Sequence, residues 1–131
     1  MFVTDTHALV WFTTGKLSQL SRRVIAEFEK ADKSEGVIFI PSIVLFEIAM
    51  LDRDNEISLD GGSVHWAERL SKKRGFIFEE ITPKIAYYAV RYNFNTDPFD
   101  RLIVATAVEL DLPLITKDVA ITESDIVEVY W

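Results

Sequence analysis

The chain has 131 residues, 49% of them hydrophobic and 27% charged, with no cysteine. That suits one domain over residues 1–131 with a single core, and excludes disulfides, thiolate metal sites and cysteine nucleophiles. The net charge of -7 argues against a protein that holds nucleic acid by a basic face alone, leaving metal ions, a local basic patch or a partner as the means of any such contact.

The N-terminal stretch MFVTDTHALVWF lacks a basic leader region and sets Asp5 within its apolar run, so it is a poor signal peptide. No apolar run approaches the roughly 20 residues of a membrane helix. A cytoplasmic protein with no membrane contact is expected. Residues 2–4 read as a first strand running into a short helix. Ser18 or Ser21 then caps a helix with Val24, Ile25, Phe28 and Ala31 at helical spacing. Residues 37–40 are a continuous apolar run rich in β-branched residues, as a strand buried on both faces would be.

Pro41 and Ser42 open a helix, PSIVLFEIAML, that is apolar nearly all round. Residues 52–63 are the most polar segment and read as a loop. A helix over 64–73 and a strand over 76–81 follow. Thr82-Pro83 starts another helix with Ile85, Ala86, Ala89 and Val90 as its expected buried stripe. Asp97 and Pro98 supply an N-cap and a first helical residue for DPFDRLIVATAVELD, after which PLIT and IVEVY read as the last strands. Strands alternating with helices predict a three-layer α/β/α domain with a mostly parallel sheet of about five strands. Ligands in such sheets bind beyond the carboxyl ends of the strands, near a switch in strand order.

Four acids fall at strand ends or in the helices after them: Asp5, Glu47, Asp100 and Asp118. Three have ordinary structural explanations. Asp5 could cap the next helix, Asp100 suits a positive helix end, and Asp118 could be a turn residue. Glu47 is the most informative, because a carboxylate among Ile43, Val44, Leu45, Phe46, Ile48 and Met50 is rarely buried unless it is paired or binds metal. Together they would suit a hard cation such as Mg²⁺ or Mn²⁺, which polarises a phosphoryl oxygen and acidifies a bound water.

In FVTDTHALVWF, PSIVLFEIAML, DPFDRLIVATAVELDLPLITKD and the terminal VEVYW, the chain resembles PIN-domain proteins, and among them the VapC-like toxin ribonucleases of type II toxin–antitoxin pairs. The segments come in the family's order and span nearly the whole chain. The resemblance implies a PIN fold and a Mg²⁺- or Mn²⁺-dependent endoribonuclease that leaves a 3′-hydroxyl and a 5′-phosphate. It places the metal-binding, water-activating acids at Asp5, Glu47, Asp100 and Asp118, with Asp97, Thr116 and Thr6 as accessory residues. It also implies RNA as substrate, a cognate antitoxin as partner, and a homodimer built on the early helices, with Trp11 and Phe12 as candidates for a partner groove.

Arg101, beside Asp100, is the preferred cation for a phosphate or an antitoxin tail, with Arg22, Arg23, Arg91 and the Lys72-Lys73-Arg74 cluster as further candidates. His7 has no partner that would make a zinc site. No P-loop, GxGxxG or Gly-x-Ser-x-Gly occurs. A receiver-like phosphoacceptor domain needs paired acids at the first strand end, where this chain has one. A haloacid-dehalogenase-like phosphatase needs Asp-x-Asp, where this chain has Asp5-Thr6-His7. The remaining alternative is a PIN fold kept as a non-catalytic RNA- or protein-binding module.

Overall fold

The computed structural model describes residues 1–131. Its strands are β1 (Phe2–Thr4), β2 (Ile38–Pro41), β3 (Phe76–Glu79), β4 (Leu114–Ile115) and β5 (Val129–Tyr130). Between them run α1 (Thr6–Thr13), α2 (Arg22–Asp32), α3 (Ser42–Arg53), α4 (Gly62–Ser71), α5 (Pro83–Arg91), α6 (Pro98–Leu110) and α7 (Val119–Ser124). The sheet order is β3-β2-β1-β4-β5 and every pairing is parallel. Parallel neighbours need crossovers, and helices supply them here.

The order fixes where a site can form. The chain steps outward from β1 to β2 to β3, then returns to lay β4 against the other edge of β1. The connections leaving β1 and β4 therefore diverge, and a crevice opens between them at the carboxyl edge of the sheet. Val3 pairs in register with Leu114 and Thr4 with Ile115, so Asp5 and Thr116 each emerge one residue beyond the last pair.

The central strands bury Val3, Ile38, Ile40, Leu114 and Ile115, as expected of strands covered on both faces. Leu9, Val24, Phe28, Val44, Ile48, Ile103 and Val104 close over them in one cluster of 22 residues. Five of the seven α-helices start at a side-chain cap, whereas α3 and α4 follow Pro41 and Gly61 without one. Asp5, Ser21, Thr82, Asp97 and Asp118 accept from the backbone N–H groups of Ala8, Val24, Ile85, Phe99 and Ile121. Of the two serines offered for α2, Ser21 is the cap, and Ser18 lies in a short 3₁₀ turn. No helix is long and apolar enough to cross a membrane.

Three local expectations are corrected. Ala86 and Val90 of α5 face outward, Val90 being 77% exposed, and the inward stripe is Ile85 and Ala89 with the half-buried Tyr88. Helix α5 docks on α6 along that narrower line, which shields only one side of it. Helix α7 was not foreseen: Asp118 is followed by a six-residue helix before the last strand. Finally, α3 is apolar by composition yet fully buries only Val44 and Ile48, leaving Phe46 59% exposed.

Candidate acidic site at the strand switch

Asp5, Glu47, Asp100 and Asp118, with Asp97, line one cleft of about 570 Å³, together with Thr6, His7, Trp11 and Lys117. Each acid arrives by a separate route. Asp5 leaves β1 as the cap of α1, its Oδ1 accepting from the N–H of Ala8 at 2.8 Å. Asp118 follows β4 as the cap of α7, Oδ1 accepting from Ile121 N–H at 2.9 Å. Glu47 projects from the second turn of α3. Asp100 stands in the first turn of α6, a helix that packs against β1, β2 and α3.

The acids are held by neighbours that leave part of each carboxylate free. The hydroxyl of Thr6 donates to Oε2 of Glu47. Asn95 donates from Nδ2 to Asp100 Oδ2 at 2.8 Å, while its Oδ1 accepts from the N–H of Asp97 at 3.1 Å. Thr116 accepts from the N–H of Asp118 at 3.1 Å, and its hydroxyl also interacts with Asp5. The buried polar residues of the whole molecule are Thr4, Thr6, Thr106 and Thr116. Thr6 lines the cleft and bonds Glu47, Thr116 contacts Asp118 and Asp5, and Thr4 donates to the Asp5 carbonyl. Three of the four thus have partners at or next to the acids, as a buried hydroxyl needs a partner.

The carboxylates feel one another. Burial pushes the Asp5 carboxyl up from the ordinary aspartate range. Hydrogen bonds from Thr116 and Ala8 and the nearby His7 pull it back, and Glu47 adds a further upward push. Burial likewise raises Asp100, and repulsion from Asp97, Asp118 and Glu47 adds to it, giving a value of about 6 despite the opposing hydrogen bond from Asn95. Burial leads in both shifts, and like charges sharing the recessed site add to it. No three of the side chains stand close enough to form a ready-made cage for a metal. The donors are all oxygen, the kind hard divalent cations select, and free lone pairs remain on each acid. In donor chemistry the set fits such an ion.

Asp97 caps α6 through Phe99 N–H at 2.8 Å and borders the cleft. Arg101 does not line the cleft. It sits one turn into α6, half-buried, with its buried Nε unpartnered. The other cations proposed for phosphate are also elsewhere. Arg23 donates from Nε to the Trp131 carbonyl and lies over the Tyr130 ring, Lys73 pairs with Asp32, and Arg91 lies over Tyr87. Phe12 stacks on Phe28 and lines a different groove with Trp66 and Leu70, whereas Trp11 lies in the acidic cleft. Sequence reasoning missed two contributors. Asn95 could have been found as the Asx residue two before the Asp97 cap. Lys117 carried no local signal.

A parallel sheet of order β3-β2-β1-β4-β5 with acids gathered at its switch defines a class, and the family model "PIN domain" matches residues 2–126. The chain belongs to the PIN-domain family. It is 33% identical over 116 residues to Ribonuclease VapC22 of Mycobacterium tuberculosis, covering 87% of this chain and 84% of that protein. Its fold is also that of a chain in the VapBC2 complex of Rickettsia felis bound to a promoter DNA fragment, at a TM-score of 0.71 and 15% identity over 99% of this chain and 98% of the other. A chain in the DNA-bound VapBC complex of Salmonella typhimurium matches at a TM-score of 0.69 and 15% identity, covering 98% and 96%.

Proposed function

We propose that the protein is a Mg²⁺- or Mn²⁺-dependent endoribonuclease, the toxin half of a VapBC-type pair, acting in the cytoplasm. The observation that carries this reading is the meeting of Asp5, Glu47, Asp100 and Asp118 in one cleft from four separate elements. The likeness to a named ribonuclease over most of both chains supports it. Asp5, Glu47, Asp100 and Asp118 would hold the ion, with Asp97 beside them. When bound, the ion offsets the mutual repulsion, polarises a phosphoryl oxygen and supplies an acidified water.

The chain's own groups do the rest. Thr6 orients Glu47, and Asn95 fixes Asp100 against Asp97. Thr116 sets the direction of the backbone entering Asp118 and steadies Asp5. An unprotonated carboxylate in this set accepts the proton of the attacking water. In-line attack on phosphorus then breaks the bond to the 3′ oxygen, which takes a proton from solvent, leaving a 5′-phosphate and a 3′-hydroxyl. The exposed Phe46, stacked on Phe99 at 6.0 Å beside the acids, offers an apolar surface for an antitoxin or for a second copy in a homodimer.

The test is cleavage of single-stranded RNAs and tRNAs with Mg²⁺, Mn²⁺ or EDTA, comparing the wild type with Asp100→Asn. Metal-dependent cutting that the substitution removes is the expected result. Absence of cutting across the set, by folded protein free of any partner, would overturn it in favour of a PIN fold used only for binding.

A further inference from the structure

The cleft holds five acids, Asp5, Glu47, Asp97, Asp100 and Asp118, and a single lysine, Lys117. Lys117 lies between Thr116 and Asp118, yet it takes part in none of the molecule's ion pairs. Its ammonium instead sits over the face of Trp11, 4.3 Å from the ring centroid, and 5.8 Å from that of Trp131. A lysine collapsed onto a neighbouring carboxylate would be neutralised by it. One held on an indole face keeps its full charge and its hydrogen-bond donors.

The platform beneath it is built from distant parts of the chain. Trp11 comes from α1 and meets the edge of Trp131 at 6.3 Å and 73°. The Trp131 backbone is tied to α2 by the Nε of Arg23, whose guanidinium also covers Tyr130 at 4.3 Å. Tyr130 in turn packs on Phe2 at 4.5 Å. The lysine is itself exposed while Trp11 is half-buried, so a fixed ring carries a cation open to solvent.

We propose that Lys117, positioned by the Trp11 face, is the phosphate anchor that seats single-stranded RNA at this acidic cleft. This rests on the ribonuclease reading. An RNA backbone approaching five carboxylates is repelled, and a cation kept apart from them at the rim gives a neighbouring phosphate a point of attachment. Trp11 is a positioning residue: it sets where the charge stands and touches the RNA only through Lys117.

The experiment measures binding of a fluorescently labelled single-stranded oligoribonucleotide of mixed sequence in Mg²⁺ over a range of salt. It is done in an Asp100→Asn background so that the probe is not consumed, with cleavage by the parent chain followed in parallel. One lost phosphate contact lowers the slope of log affinity against log salt by about 0.7, which at about 0.1 M salt is roughly a fivefold weaker Kd. Lys117→Ala is expected to show both changes and Lys117→Arg neither. Trp11→Ala is expected to approach Lys117→Ala with the lysine still present, and Trp11→Phe, which keeps a ring and the packing, to fall between.

Equal slopes and affinities for the parent and Lys117→Ala overturn the proposal, even if the parent cuts RNA. A Trp11→Phe protein that binds like Lys117→Ala, or a folded Trp11→Ala that binds like the parent, overturns the positioning role. RNA binding that depends on Lys117 in a chain that cuts nothing sinks the ribonuclease reading and leaves the anchor standing. A parent chain that binds no RNA overturns both.

Discussion

Asp100→Asn tests the burial and crowding of the Asp100 charge directly, because it removes that charge and keeps the shape. The Asp100 carboxyl is raised from 3.8 to about 6, a difference of about 2 units, or about 3 kcal/mol if fully expressed. The side chain is only half-buried, so solvent screening reduces this to about 1–1.5 kcal/mol. The sign follows from the direction of the shift. Between pH 3.8 and about 6 the folded chain binds more protons than the unfolded one, so stability falls as pH rises through that window. Above it the full cost of the ionised carboxylate is present. In EDTA at about pH 8, Asp100→Asn should therefore melt about 3–6 °C above the wild type. The asparagine Oδ1 can still accept from Asn95, so little else changes. The gap should close as pH is lowered toward 4. Mg²⁺ should then raise the melting temperature of the wild type more than that of the variant, since the ion relieves what the substitution has already removed. The assay is thermal unfolding followed by circular dichroism at several pH values, with and without Mg²⁺. A variant less stable than the wild type at pH 8, or a gain that does not change with pH, would refute the argument that the buried, crowded charge is costly.

Further substitutions probe other parts of the site and fold. Asp5→Asn should abolish cleavage while the fold survives, because asparagine keeps the cap on Ala8, whereas Asp5→Ala should in addition cost about 1 kcal/mol in denaturant unfolding. Thr6→Val should lower kcat about tenfold by freeing Glu47, with Thr6→Ser restoring it, as measured by steady-state cleavage. Gly75→Ala should destabilise by about 3 kcal/mol, since its Cβ would lie 2.0 Å from the carbonyl oxygen of Ala31, a backbone atom that cannot swing away; chemical unfolding measures this.

Much of the fold was legible because local rules and tertiary demands agree. Pro98 after Asp97 and Pro83 after Thr82 mark helix starts by side-chain chemistry alone, and the structure places helices there. The β-branched run before Pro41 gave a buried strand for the same reason. Exposure was less legible. The periodicity of α5 offers Ala86 and Val90 for burial as readily as Ala89, and only the angle of its contact with α6 leaves Val90 outside. Helix α7 is six residues long, too short for its pattern to stand out from a turn.

For the site, the residue types and their order along the chain sufficed to nominate Asp5, Glu47, Asp100 and Asp118, since each lies at a strand end or within a following helix, Glu47 standing out as an acid among apolar neighbours. Their meeting in one cleft was decided by the return of β4 to the side of β1, a matter of strand order that no local window contains. The same holds for the cations. Sequence proximity favoured Arg101, but a helix turns its neighbours to different sides, and α6 carries Arg101 away from the cleft that Asp100 faces. Lys117 reaches that cleft and stays unpaired because Trp11 and Trp131, 120 positions apart, are brought together beneath it. Residue chemistry and local structure are written in short windows of the chain. Which charges face one another depends on long-range packing, and only the folded molecule decides it.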